Sequence, residues 1–182
     1  MKIGFISDTH GEEYYLKMAL PYLSDCDMVL HTGDIFQFYC HPCDPLFHIL
    51  NSIDNLHFVR GNCDGKFHQG FRHDISLCER IIEYNSLRIF MTHGNRRPLY
   101  EYVREAKSRN CSLLVSGHTH CRYLDVVEGL LCLNPGSLGR PRDGSHSLAV
   151  MDEREIRIFD VVSKKILTIY PHSFQKYFTK NL

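Results

Sequence analysis

Seven residues carry the chemistry this sequence is equipped for: Asp8, His10, Asp34, Asn62, His93, His118 and His120. Carboxylate, amide oxygen and imidazole form a donor set suited to Mn²⁺, Fe²⁺ or Zn²⁺, whereas an all-oxygen set is expected for Ca²⁺. Histidine is also abundant, at 12 residues with no tag-like run, and it is the commonest metal ligand among side chains. Each of the five segments involved supplies a glycine, namely Gly11, Gly33, Gly61, Gly94 and Gly117. Glycine lets the backbone turn sharply and approach closely, which turns around a metal pair require. Any one segment reads equally well as an ordinary strand-to-helix turn; all of them together do not.

The elements that must position these residues alternate. Residues 2–7 form a short apolar run ending at Asp8, and residues 12–23 place apolar side chains at near-helical spacing. Strand, loop and helix repeat through 27–32, with Asp34 after it, and 44–53. Residues 56–60 form a third strand that closes on Asn62. Such alternation predicts a parallel sheet with helices packed on it. Beyond residue 77 the texture changes. Residues 77–84 and 87–91 flank Asn85 and Ser86 as a hairpin, 99–107 reads as a helix leading into a strand over 112–116, and strand-like pieces follow near 123–127, 130–133, 147–151, 156–161 and 165–169. The expectation is an α/β sandwich in which a second, largely antiparallel sheet stacks on the first, with helices outside both. The candidate residues then fall at the carboxyl ends of strands, where ligands collect in sheets of this class.

The 182 residues suit one domain spanning 1–182, with 172–182 a polar and aromatic tail that is loosely held. Lys plus Arg and Asp plus Glu balance at 21 each, so nothing argues for nonspecific attraction to nucleic acid or an anionic membrane. No apolar run approaches the roughly 20 residues that span a bilayer, and no secretory signal opens the chain, so a cytoplasmic location is expected. The 8 cysteines then read as mostly reduced thiols. Cys40 and Cys43 have the spacing of a redox pair, but without a thioredoxin-like pattern around them they read as loop cysteines. His68 and His73 are candidates for the rim of a substrate pocket.

The blocks Asp8-Thr-His10, Gly33-Asp34, Gly61-Asn62-Cys63-Asp64, Thr92-His93-Gly94 and Gly117-His-Thr-His120 resemble, in order, the signature of the calcineurin-like metallophosphoesterases. Cys63 after Asn62, and the later Asn134-Pro-Gly-Ser137, are similar to the small bacterial and archaeal phosphodiesterase branch, the YfcE type. The resemblance implies a four-layer αββα fold and a dinuclear site. Asp8, His10, Asp34 and His120 would hold one metal, and Asp34, Asn62, His93 and His118 the other, with Asp34 bridging and with Asp34, Asn62 and His93 central to catalysis. Mn²⁺ is the first expectation, with Fe²⁺, Zn²⁺, Ni²⁺ or Mg²⁺ as alternatives. The reaction implied is attack of a metal-bridging hydroxide on a small phosphodiester. The first shell would carry about +1 net, which fits a monoanionic diester.

Cys63 is a departure, since many members of the wider superfamily have histidine there, a proton donor to the leaving group. As a substrate-binding set the resemblance suggests Cys63, Asn134 and Gly136, while Asp64 either orients a ligand or caps the turn. A phosphomonoesterase using the same site is one alternative. Another is a protein-binding scaffold like the retromer subunit that shares the fold. A homo-oligomer is compatible with all of these readings.

Overall fold

The computed structural model describes residues 1–36, 45–65, 70–85 and 87–172. Cys40, Cys43, His68, Ser86 of the hairpin turn and the tail beyond His172 lie outside the described residues. In chain order the elements are β1 (Ile3–Ile6), α1 (Glu13–Leu23), β2 (Met28–His31), α2 (Pro45–Asn51), β3 (Leu56–Phe58), β4 (Glu79–Tyr84), β5 (Leu87–Thr92), α3 (Leu99–Ser108), β6 (Leu113–Val115), β7 (Tyr123–Val127), β8 (Leu130–Asn134), β9 (Ser147–Met151), β10 (Glu155–Asp160) and β11 (Ile166–Pro171).

Two sheets stack, with strand orders β11-β10-β9-β1-β2-β3 and β4-β5-β6-β8-β7. Between them lies a core that includes Phe5, Leu30, Ile89, Val115, Leu133 and Met151. On the outer face of the first sheet, Leu16, Ala19 and Leu23 of α1 and Leu46, Phe47 and Leu50 of α2 pack against residues such as Val29, Phe58 and Val150. Tyr102, Val103 and Ala106 of α3 cover Phe90, Leu114 and Cys132 on the outer face of the second. The layers are therefore αββα, as the resemblance implies. In α1 and α3 the buried positions recur at three- and four-residue intervals, the stripe by which a surface helix docks on a sheet.

The partition between sheets differs from the sequence reading. β9 leaves the second half of the chain and pairs antiparallel with β1, Gly4 opposite Val150. The second sheet is evenly mixed, with β5-β6 and β6-β8 parallel and β4-β5 and β7-β8 antiparallel. Burial explains both features. β8 and β9 are buried at every position, so each needs a neighbour on either side and cover on both faces, and neither is suited to an edge.

Register brings the chemistry to one rim. Ile6 pairs with His31 and His31 with Phe58, so β1, β2 and β3 end level. Met91 pairs with Val115 and Val115 with Leu133, so β5, β6 and β8 end level in the other sheet. The loops bearing all seven candidate residues leave the fold from these ends.

Candidate metal centre

The backbone at this rim is strained where the candidate side chains are held. Asp8, His10, Asp34, His118 and His120 all have left-handed φ, between 48° and 68°. That conformation costs an L-residue on the order of 1–2 kcal/mol, and strain of this kind gathers where side chains must be aimed. Glycine serves a different need at two of the turns. A Cβ on Gly61 would meet Asp34 Oδ1 at 2.0 Å, and one on Gly117 would meet Ser7 Oγ at 2.1 Å. Only a bare Cα lets these loops approach so closely.

Ligating atoms of Asp8, His10, Asp34 and His120 lie within 4.8 Å of one another, and all four residues are buried. His10 Nε2 and His120 Nε2 face each other at 3.1 Å, and His120 Nε2 is 3.2 Å from Asp8 Oδ1. A second group adjoins the first. His93 Nε2 is 3.2 Å from Asn62 Oδ1 and 3.4 Å from Asp34 Oδ2, and the His118 ring packs edge-on against His93 with centroids 5.1 Å apart. Asp34 Oδ2 stands between the groups, 3.7 Å from His10 Nε2 on its other side.

Hydrogen bonds at the back of two rings set their tautomers. His93 Nδ1 donates to Thr32 O at 2.8 Å and His120 Nδ1 to Arg140 O at 2.6 Å. In the neutral rings Nε2 then presents a lone pair to the cluster. Lone pairs of His93 Nε2, Asn62 Oδ1 and Asp34 Oδ2 thus converge, and buried groups of this kind require a proton or a cation between them. Among the described residues, buried His118 Nδ1 has no hydrogen-bond partner, and Asp8 Oδ1 has none beyond its 3.2 Å contact with His120 Nε2. The donor set fits divalent metal.

Protons compete for the same positions. His120 is raised above the ordinary imidazole range, first by its hydrogen bond to Asp8, and His93 is raised by Asp34 and Asp8 in spite of its burial. Burial lowers His10 and His118. Burial also opposes ionisation of Asp34, yet His93 and the Cys63 N–H hold its carboxyl well below the usual range. A cation held by this cluster would compete with protons at His93 and His120, whose raised affinity for a proton would weaken metal binding as pH falls.

Asp64 caps the loop that carries Asp34. Its carboxylate accepts the N–H groups of Asp34 at 2.7 Å, Ile35 at 2.8 Å, Phe36 at 3.3 Å and Gly61 at 2.9 Å. Cys63 donates its backbone N–H to Asp34 Oδ1 at 2.8 Å, and burial together with the Asp34 carboxylate pushes the thiol up to about 11. Asn134 is buried and donates through Nδ2 to Gly117 O and Thr119 Oγ1, while Gly136 N–H donates to Asn134 Oδ1. These contacts hold the turn that carries His118 and His120. His73 bonds Leu50 O at 3.1 Å and packs on Phe58 and Phe71, away from the cluster.

Several residues that support the site had no signal of their own in the sequence. His31, fully buried and pulled down to about 3 by burial, accepts the Gly33 N–H and donates to Thr9 Oγ1, tying two ligand loops together. Ser137 Oγ donates to Asp8 O and accepts the Arg140 N–H, and Arg142 N–H donates to His120 O. Arg140 and Arg142 are exposed beside the cluster, and neither guanidinium has an ion-pair partner among the described residues. The signal for them was their place a few residues after Asn134-Pro-Gly-Ser137.

A family model for the calcineurin-like phosphoesterase superfamily domain matches residues 1–155. A phosphodiesterase of Methanocaldococcus jannaschii is 27% identical over 177 residues, covering 89% of this chain and 99% of its own. The solved structure of the Escherichia coli phosphoesterase YfcE superposes with a TM-score of 0.75 at 22% identity, covering 94% of this chain and 99% of that one. Vps29 of Entamoeba histolytica, solved in complex with zinc, has the same fold, with a TM-score of 0.65 at 19% identity over 94% of this chain and 98% of that one.

Proposed function

Because the chain belongs to the calcineurin-like phosphoesterase superfamily, we propose that it hydrolyses small phosphodiesters at a centre of two divalent cations. The observation that carries this reading is the position of Asp34 Oδ2 between His10 and His93. From there one carboxylate serves both groups of donors. Asp8, His10, Asp34 and His120 would hold one cation, and Asp34, Asn62, His93 and His118 the other. The chemistry such cations would supply when bound is a lowered pKa for a bound water and stabilisation of charge on the phosphoryl oxygens. Mn²⁺ is the working metal we favour, on the mixed oxygen and nitrogen donor set.

The rest of the work falls to the chain itself. Thr32 and Arg140 carbonyls keep His93 and His120 in the ligating tautomer. Arg140 and Arg142, exposed and without an ion-pair partner among the described residues, place positive charge near His10 and His120, which would draw an anionic ester in and orient its non-bridging oxygens. A scaffold has no need of that charge, and its presence beside a complete donor set favours catalysis. The test is an assay of chelator-stripped protein with metals added back. Mn²⁺ should restore turnover of bis(p-nitrophenyl) phosphate in preference to p-nitrophenyl phosphate. No turnover with Mn²⁺, Fe²⁺, Zn²⁺, Ni²⁺ or Mg²⁺ would leave the scaffold reading standing.

Cys63 is assigned a structural part in this scheme. A thiol held near 11 that hydrogen-bonds Asp34 is a poor general acid. Cys63→Ser should therefore stay within about threefold of the parent rate on an alkyl diester with a poor leaving group, since real acid catalysis is worth about 10²–10⁴-fold. A drop of a hundredfold there, absent with a nitrophenolate leaving group, would assign proton donation to the thiol.

A further inference from the structure

A cavity of about 440 Å³ opens beside the cluster, between the N-terminal turn of α3 and the start of β7. Three of its lining residues are chain neighbours of candidate ligands: Gly94 follows His93, and Gly117 and Thr119 flank His118. Asn134, which fastens the His118 turn, forms part of the same wall. The metal centre and the cavity thus share their partition.

Apart from Arg97, Arg122 and Ser116, the rest of the lining is largely apolar. Tyr102 and Cys132 form a floor at 1% and 2% exposure, while Leu99 and Tyr123 stand at the rim at 39% and 40%. Two large apolar side chains left open around one hollow mark a binding surface. The floor is also rigid. Arg97 stacks on Tyr102 at 4.5 Å and is clamped by Glu79 at 2.6 Å and Glu105 at 2.5 Å, and Tyr102 Oη accepts the Arg96 N–H.

Those ion pairs decide what the cavity takes. Arg97 is neutralised by two carboxylates, and Arg122, the other lining cation, is paired with Asp143 at 3.0 Å. Among the described lining residues, each cation already faces a carboxylate, which disfavours a second phosphate. We propose that this pocket is the subsite for an uncharged aromatic arm of the phosphoester, seated while its phosphorus lies at the metal centre. The volume suits one or two rings, since small-molecule sites run from about 300 to 1,000 Å³. The assignment rests on the phosphoesterase reading and narrows its substrate class to aryl or nucleoside-like esters.

Two non-hydrolysable ligands test it, methylphosphonate and benzylphosphonate, titrated calorimetrically into the Mn²⁺-loaded protein. Burying one ring should make benzylphosphonate about 10- to 30-fold tighter. The double variant Leu99→Gln/Tyr123→Gln should bring that ratio below about threefold, and in parent protein loaded with diamagnetic Zn²⁺ the amide resonances of Leu99 and Tyr123 should shift with benzylphosphonate but not with methylphosphonate. Equal affinities in the parent protein, or a ratio that survives the double variant, overturn the subsite while leaving the hydrolase intact. Failure of both phosphonates to bind, together with no diester turnover, overturns the phosphoesterase reading and the subsite with it.

Discussion

Asp34→Ala will lower kcat/KM for a chromogenic phosphodiester by about 10³-fold or more, because metal-centred stabilisation is worth several kcal/mol and each 1.36 kcal/mol is tenfold. The size of the effect follows from position. Asp34 Oδ2 lies within 3.7 Å of both His10 and His93, so in the proposed two-cation centre its removal would take a ligand from each metal at once. Asp8→Ala, by contrast, would remove a ligand from one. Elemental analysis after metal loading should therefore show less than one cation per chain in Asp34→Ala and close to one in Asp8→Ala. The fold should survive, since truncating Asp34 strands one backbone donor, the Cys63 N–H, and relieves carboxylate crowding with Asp8. Parent-like activity in a folded, metal-loaded Asp34→Ala protein would sink the bridging assignment.

What the sequence disclosed about this centre depended on locality. Asp8, Asp34, Asn62, His93 and His118 each stand within a few residues of a strand end, and strand ends show as the point where an apolar run stops. Each residue therefore announced its own address. Pairing between distant strands announces nothing. β9 joins β1 across more than a hundred residues because Leu148 and Val150 face one core while Ala149 and Met151 face the other, and an apolar pentapeptide gives no hint of which sheet it will enter. The clasp from Ser137 to Arg142 was obscure for a related reason. Apart from the Ser137 hydroxyl on Asp8 O, its contacts to Asp8 and His120 come from backbone groups, the Gly139 N–H, Arg140 carbonyl and Arg142 N–H, which any residue type can supply. The apolar subsite was hidden too, because Leu99, Tyr102 and Tyr123 read as members of a helix face and a strand.

Asp64 separates the residues that bind from those that hold binding residues in place. Its side chain is not directed at the cluster: both oxygens are spent on backbone donors, Oδ2 on Asp34 and Gly61 and Oδ1 on Ile35 and Phe36. Removing an acceptor from a buried donor costs about 1–3 kcal/mol. With four donors sharing one carboxylate and water able to reach some of them, Asp64→Ala should lose about 3–5 kcal/mol. For a chain of this length that corresponds to a fall of about 10–15 °C in Tm, at roughly 2–4 °C per kcal/mol. Asparagine should rescue no more than half of the loss, because its NH₂ would be turned toward two of the N–H groups it replaces an acceptor for. Glutamate should fail as well, having the charge at the wrong reach. Metal stoichiometry distinguishes this support from ligation: at 10 °C, where the variant stays folded, Asp64→Ala should still take up two cations per chain, bound more weakly. A stoichiometry of one at saturating Mn²⁺ would make Asp64 a ligand and would require its hydrogen bonds to Asp34 and Gly61 to break when metal enters.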